Sequence, residues 1–236
     1  MDPRNLKVLN AARRDRRAAL LVTEIAGGRE RVVVEGDPVA GELGAEIAAR
    51  FRSGKSGLYE AGGEALFLNV HLPSPRIVVI GAVHISQALA PMAAIAGFDL
   101  SIIDPRSAFA TPDRFRGVDL VADWPEDVLA TRPLDSYTAL VAVTHDPKID
   151  DFPIAAALST GCFYGGALGS RKTHAKRVER LGDLGVGASD LARISAPIGL
   201  DIGASTPAEI AVAVLADIIR SLRRRGLAAT AAETRA

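Results

Sequence analysis

The sequence predicts an α/β protein in which a parallel, doubly wound sheet over residues 74–225 follows a small α+β domain over residues 1–73. Three observations carry this. Apolar runs alternate with helical stretches through the second part of the chain, as strands and crossover helices do. The run Arg76-Ile-Val-Val-Ile-Gly81 is continuously apolar and mostly β-branched, which suits a strand covered on both faces. Pro73-Ser-Pro75 interrupts regular structure between the two parts.

In the first domain, apolar and arginine residues recur at roughly helical spacing from Leu6 to Leu21. Ala19–Ile25, a Gly27-Gly28 turn and Arg31–Glu35 read as a β-hairpin, and Gly41–Arg52 as a helix. Leu58–Leu72 reads as two further short strands around Gly62-Gly63. In the second domain, strands are expected at Arg76–Gly81, Phe98–Asp104, Val118–Val121, Thr138–Thr144 and Cys162–Leu168, with helices at Ser86–Ala96 and Arg171–Leu181. The last helix has a sharp start. In Thr206-Pro-Ala-Glu209 a capping hydroxyl, a first-turn proline and a glutamate three residues after the cap can satisfy the exposed amides, and the helix is expected to run to about Arg224. The tail from Gly226 to Ala236 is expected to fray.

Composition excludes several classes of function. Lys+Arg and Asp+Glu stand at 28 each and hydrophobic residues make up 48%, so the chain is neither generally basic nor disordered, and nucleic acid is not an expected partner. No apolar run reaches the roughly 18 to 20 residues of a membrane span, and the polar N-terminus lacks a signal-peptide core, which points to the cytoplasm. The single cysteine, Cys162, excludes an internal disulfide or a multi-cysteine zinc site, and no metal site is expected. Burial as a small apolar residue is its expected role.

Gly81-Ala-Val-His-Ile-Ser86 lies between a buried strand and a helix, with Asp104 at the end of the next strand, which is the context of a dinucleotide-binding fingerprint in a Rossmann-like fold. Gly81 allows the tight turn, Ser86 takes the small position where helix meets strand, and the helix N-terminus offers amides to a phosphate. Asp104 is placed to accept from a ribose hydroxyl. The middle glycine of the fingerprint is Val83, whose side chain narrows the approach to the phosphates, and a purely structural turn is the competing reading. His84 reads as a loop or capping residue.

The same residues open a wider resemblance. Five blocks occur in order: Val79-Ile-Gly-Ala-Val-His-Ile-Ser-Gln-Ala-Leu89, Ile103-Asp-Pro-Arg-Ser-Ala-Phe109, Val143-Thr-His-Asp146, Gly166-Ala-Leu-Gly-Ser-Arg-Lys-Thr-His-Ala-Lys-Arg177 and Ala196-Pro-Ile-Gly-Leu-Asp-Ile-Gly-Ala-Ser-Thr-Pro-Ala-Glu-Ile210. Through them the chain resembles the C-terminal domain of the XdhC/CoxI family of maturation factors for molybdenum hydroxylases such as xanthine and carbon monoxide dehydrogenases. The resemblance implies binding of molybdenum cofactor (molybdopterin), help with its sulfuration and its transfer to an apo molybdenum hydroxylase, with a cysteine desulfurase as a further partner. It implies a maturation factor rather than a catalyst. Family members commonly carry a longer N-terminal domain with a Gly-Gly-Cys motif; here about 73 residues without cysteine precede the second domain, and no sulfur-handling role passes to Cys162.

Further candidates lie outside the fingerprint. Gly169, Ser170, Arg171, Lys172 and Thr173 open a basic helix where amides, hydroxyls and cations can converge on an anion, although a solvated basic face reads the same way. His145 and Asp146 follow the fourth strand of the domain, at the carboxyl edge where open α/β sheets bind ligands. Arg106 lies in the second block, and Asp201 and Gly203 precede the capped helix; Gly203 also suits an unusual backbone angle. Two other functions stay open at this point: an NAD(P)-binding oxidoreductase, suggested by Gly81, Ser86 and Asp104, and a nucleotide-binding regulatory or interaction protein. A homodimer is the expectation from base rates alone.

Overall fold

The computed structural model describes residues 2–224. They divide into two compact units, one reaching to Pro73 and the other spanning Ser74–Arg223. The expected fraying tail lies outside the described residues.

The first unit begins with α1 (Pro3–Arg14), where the Asp2 side chain accepts from the Arg4 amide and Pro3 occupies a position that needs no donor. The helix stops well before Leu21. Asp15 caps it, Arg16 turns with φ 51°, and Ala19 already belongs to β1 (Ala19–Glu24). Sheet pairing overrides the helical spacing there, because β1 is central and antiparallel to both β2 (Glu30–Val34) and a later strand. Next come α2 (Gly41–Ser53), β3 (Gly57–Ala61) and β4 (Glu64–His71), giving the order β2-β1-β4-β3. Gly62 and Gly63 both have positive φ, which a two-residue hairpin turn of this twist requires.

The second unit is a six-stranded, wholly parallel sheet. Its elements are β5 (Arg76–Ile80), α3 (His84–Ile95), β6 (Asp99–Ile103), β7 (Asp119–Val121), α4 (Pro125–Thr131) and β8 (Thr138–Ala142). They continue with α5 (Pro147–Ser159), β9 (Tyr164–Ala167), α6 (Arg171–Asp183), α7 (Ala188–Leu191), β10 (Ile194–Ser195) and α8 (Pro207–Arg224). The order is β10-β9-β8-β5-β6-β7.

Alternation along β5 shows why both faces are apolar. Ile77 and Val79 join Leu89 and Ala93 of α3 and Val214 and Ile218 of α8 in one core. Val78 and Ile80 join Leu129 of α4, Ile154 of α5 and Leu181 of α6 in the other. The chain runs outward from β5 to β7 and then returns to the opposite side of β5 as β8. The crossover direction therefore reverses between β5 and β8, the kind of point at whose carboxyl edge open α/β sheets bind ligands.

The capping box of α8 forms as the sequence spacing predicts. Oε2 of Glu209 accepts from the amides of Ser205 and Thr206 at 2.8 and 2.9 Å, and Thr206 Oγ1 accepts from the Glu209 amide at 3.2 Å. Those donors hold the Glu209 carboxyl down at about 2. Thr206→Ala is expected to destabilise the chain by about 1 kcal/mol in urea denaturation, the usual cost of a lost N-cap.

Candidate functional site

Gly81 closes the first loop. Its amide donates to Ile103 O at 2.8 Å, its φ is 121°, and a Cβ on it would sit 3.0 Å from Thr144 Cγ2 and 3.2 Å from Val143 Cγ2. The loops after β5 and β8 thus touch through a residue that cannot carry a side chain. Ser86 is fully buried and its hydroxyl donates to Gly81 O, so it fastens the start of α3 to the turn. Val83, the N-cap residue of α3, provides no side-chain cap and is partly buried against the core. The first amides of α3 are consequently free of a side-chain competitor. His84 is exposed as the first residue of the helix.

Asp104 has a different role from the ribose acceptor expected of it. It is fully buried and takes four donors: the Ala82 amide at 2.7 Å, the Arg106 amide at 2.9 Å, and Arg106 Nε and Nη2 at 2.9 and 2.8 Å. A carboxylate offers about four lone-pair sites, and these donors take them all. Burial pushes this carboxyl up, but the Arg106 guanidinium and the two amides outweigh burial and hold it below its ordinary value. Asp104 therefore shapes the Gly81 turn from inside. Arg106 covers it and also lies over the Phe109 ring, 4.5 Å from its centroid. Arg114, which sequence reasoning passed over, supports the same turn by donating to Ala82 O at 3.1 Å and to Gln87 Oε1 at 3.0 Å.

The loop after β8 presents His145 in the left-handed region, φ 65°, a conformation that costs a non-glycine residue energy and that clusters at functional loops. Asp146 is the N-cap of α5 and accepts from the Lys148 amide at 3.0 Å. Thr144 Oγ1 accepts from the Asp146 amide at 3.0 Å and donates to Asp150 Oδ1 at 2.7 Å. The other oxygen of Asp150 has no partner in the protein, although the residue is only 1% exposed. Burial raises its carboxyl to about 6 against the Thr144 hydrogen bond and the charge of Arg177.

The third loop, after β9, leads into α6. Gly169 turns with φ 135°, a Cβ on it would meet Thr173 Cγ2 at 3.1 Å, and Ser170 caps the helix by accepting from the Thr173 amide at 3.2 Å. His145 and Pro147 face Lys172, Thr173 and Lys176 across a pocket of about 310 Å³. Arg177 and Arg180 complete its lining. Arg180 is paired with Asp151 at 2.6 Å. Arg177 is 2% exposed and gives one nitrogen to Leu168 O at 3.0 Å, while its Nε and Nη1 have no partner. Burial lowers the Arg177 guanidinium, opposed by the charges of Asp150 and Asp151.

The sequence-derived candidates thus fall into three groups. Gly81 packs against Val143 and Thr144 where the strand order reverses, and Asp104, covered by Arg106, holds the amide of the next residue, Ala82. His145, Lys172 and Thr173 share the basic pocket, with Gly169 and Ser170 forming the turn beneath it. Arg171 is exposed and outside the pocket lining, and Asp201 and Gly203 are exposed in the loop after β10, two strands beyond β8. Gly203 has φ 73°, which accounts for its glycine. Cys162 is buried, and burial pushes its thiol up to about 11. Among the described residues no group of three or more His, Cys, Asp or Glu side chains could hold a metal ion.

The profile of the XdhC Rossmann domain matches residues 77–218, which include all three loops. The chain belongs to the XdhC family. Within it, the chain is 34% identical over 160 residues to a Bacillus subtilis protein whose name makes it a probable xanthine dehydrogenase subunit, covering 67% of this chain and 46% of that protein. It is 32% identical over 164 residues to the uncharacterized protein YqeB of Escherichia coli, covering 67% of this chain and 29% of YqeB. To the molybdenum cofactor insertion chaperone PaoD of E. coli it is 30% identical over 148 residues, covering 62% of this chain and 40% of PaoD. The matched segments therefore span less than half the length of each of these curated relatives. A crystal structure described as a xanthine dehydrogenase from Bacillus halodurans superposes with a TM-score of 0.66 at 21% identity, covering 96% of this chain and 67% of that one, which supports the fold. No described helix is long and apolar enough to cross a membrane.

Proposed function

We propose that this XdhC-family chain binds molybdenum cofactor at the carboxyl edge of its parallel sheet and acts as a maturation factor for a molybdenum hydroxylase of the xanthine or carbon monoxide dehydrogenase type. The observation that carries the reading is the reversal of strand order between β5 and β8, where the Gly81 turn, leading into an α3 without a side-chain cap, packs against Thr144 next to the strained His145 that lines the basic pocket of α6. The name of PaoD, and the hydroxylase named in the B. subtilis relative, supply the kind of cargo and recipient. In this reading the amides of Val83, His84 and Ile85 and the pocket residues Lys172 and Thr173 grip the cofactor's anionic end. His145 and Asp146 border the same edge, and Gly81, Ser86 and Asp104 hold the turn in shape.

No chemical step by a side chain of this chain is needed. Cys162 is an unsuitable sulfur carrier, since a buried thiol held at about 11 has almost no thiolate at neutral pH. Sulfuration then takes place on bound cofactor with sulfur delivered by a cysteine desulfurase, and the chain holds the cofactor and releases it to the apo-hydroxylase.

The test is anaerobic equilibrium binding of molybdenum cofactor, set beside oxidised and reduced nicotinamide dinucleotides, followed by transfer of bound cofactor to an apo-hydroxylase. Selective cofactor binding with recovery of hydroxylase activity is expected. Selective binding of a dinucleotide, or of neither ligand, would replace this reading.

A further inference from the structure

We infer that the pocket between α5 and α6 is a dedicated subsite for a phosphate dianion or phosphate monoester, anchored by the buried guanidinium of Arg177. This deepens the cofactor reading and rests on it only for the source of the phosphate.

The argument begins with the helix. Lys172, Thr173, Lys176, Arg177 and Arg180 recur at intervals that place them along one side of α6, and that side lines the pocket. Four cationic side chains there are not by themselves a site, because charged helix faces are usually solvated. Arg177 is the exception. It is 2% exposed, yet two of its three guanidinium nitrogens have no partner. Leaving charged donors buried and unpaired is one of the costliest arrangements a fold can hold. Leu168 O takes only the third nitrogen, so the side chain is tethered in place with its remaining donors unused.

The surrounding charges show which ligand is favoured. Arg180 is already neutralised by Asp151 through two hydrogen bonds, at 2.6 and 3.0 Å, so it forms a wall and does not compete for the anion. Lys172 and Lys176 are exposed and provide charge at the mouth. Ser170 and Thr173 close the helix start, and Thr173 also lines the pocket. Asp150 and Asp151 both act on Arg177 by charge from the α5 side, but no hydrogen bond joins either of them to its Nε or Nη1. An incoming dianion would find the charge of Arg177 fixed in the pocket lining, with two lysines completing its neutralisation. A phosphate ester on a pterin and one on a nucleotide share this chemistry.

The experiment titrates the full chain calorimetrically with inorganic phosphate and sulfate at low ionic strength, then with molybdenum cofactor and with adenosine monophosphate. Saturable phosphate binding is expected in the wild type. Arg177→Met is expected to weaken it by at least about tenfold while the melting temperature stays level or rises, since a buried unpaired charge is removed. Lys172→Ala with Lys176→Ala, at exposed positions, should weaken binding by about three- to tenfold and reduce its dependence on salt; this variant decides the matter if Arg177→Met fails to fold. Absence of saturable phosphate binding in the wild type, or wild-type binding in a folded Arg177→Met protein, overturns the subsite. Phosphate and nucleotide binding without cofactor binding leaves the subsite standing and removes the maturation reading. Cofactor binding indifferent to both variants does the reverse.

Discussion

Asp104→Ala is expected to lower the stability of the second unit by about 3–5 kcal/mol, the range found when one member of a buried ion pair is removed. The carboxylate is fully buried and the Arg106 side chain is 30% exposed, so water reaches the arginine but not the buried amide that the carboxylate serves. Removal strands the Ala82 amide inside the protein and leaves Arg106 its ring contact with Phe109 and the more distant charges of Asp150 and Asp146. Asp104→Asn should cost less, because one oxygen still accepts while the other position becomes a donor facing donors. The folded carboxyl titrates below its ordinary value of 3.8, so its contribution is fully present above that value and is lost as pH falls through the lower, folded one. Urea denaturation at neutral pH and at about pH 3 should therefore show the gap between wild type and Asp104→Ala shrinking in acid. Because Ala82 lies in the Gly81 turn, phosphate-bearing ligands should also bind less tightly to the variant. A loss below about 1 kcal/mol, within the range of ordinary surface changes and single hydrogen bonds, would show that the turn does not depend on this carboxylate.

How far the sequence disclosed this site depends on what each residue needed to reveal itself. The strands β5, β6 and β8 are legible because their apolar runs are too dense for a one-sided strand and too short for a helix. The cap of α8 is legible because its spacing is local. Two-residue β10 carries no such signal; it exists through its parallel pairing with β9. Asp104 sits at the predicted position, but sequence position cannot tell whether a carboxylate points outward to a ribose or inward to an arginine two residues away. Arg177 was one cation among several in α6, whereas the neighbouring Arg171 and Lys172 drew attention by opening the helix. A signal was present all the same. Arg177 and Leu181 are four residues apart on the helix and both are buried, so Leu181, an apolar residue in a charged segment, marks the face on which Arg177 lies.

The acid opposite that arginine gives the second large effect. Asp150→Asn is expected to stabilise the protein by about 3 kcal/mol above pH 6, on the rule that each pKa unit is worth about 1.4 kcal/mol. The wild-type carboxyl rises from 3.8 in the unfolded chain to about 6 in the fold, so the folded state binds the extra proton between those values. Stability from this group is thus full below 3.8, declines as pH rises toward 6, and is level beyond it. That direction is opposite to the one Asp104 produces. Arg177 and Arg106 pull Asp150 toward ionisation. Burial nevertheless prevails, since only Thr144 donates a side-chain hydrogen bond to it. Asparagine keeps that acceptor and has no charge to bury. The difference between variant and wild type, read by urea denaturation, should be small near pH 4, grow to pH 6 and then hold steady, with unrelated carboxylates cancelling in the subtraction. A difference that does not vary with pH would mean that Asp150 is solvated in the folded protein. The same substitution bears on the anion pocket. An ionised Asp150 competes with a bound dianion for the field of Arg177, so phosphate affinity above pH 6 should rise in Asp150→Asn. A fall would assign Asp150 to holding Arg177 in position rather than to balancing its charge.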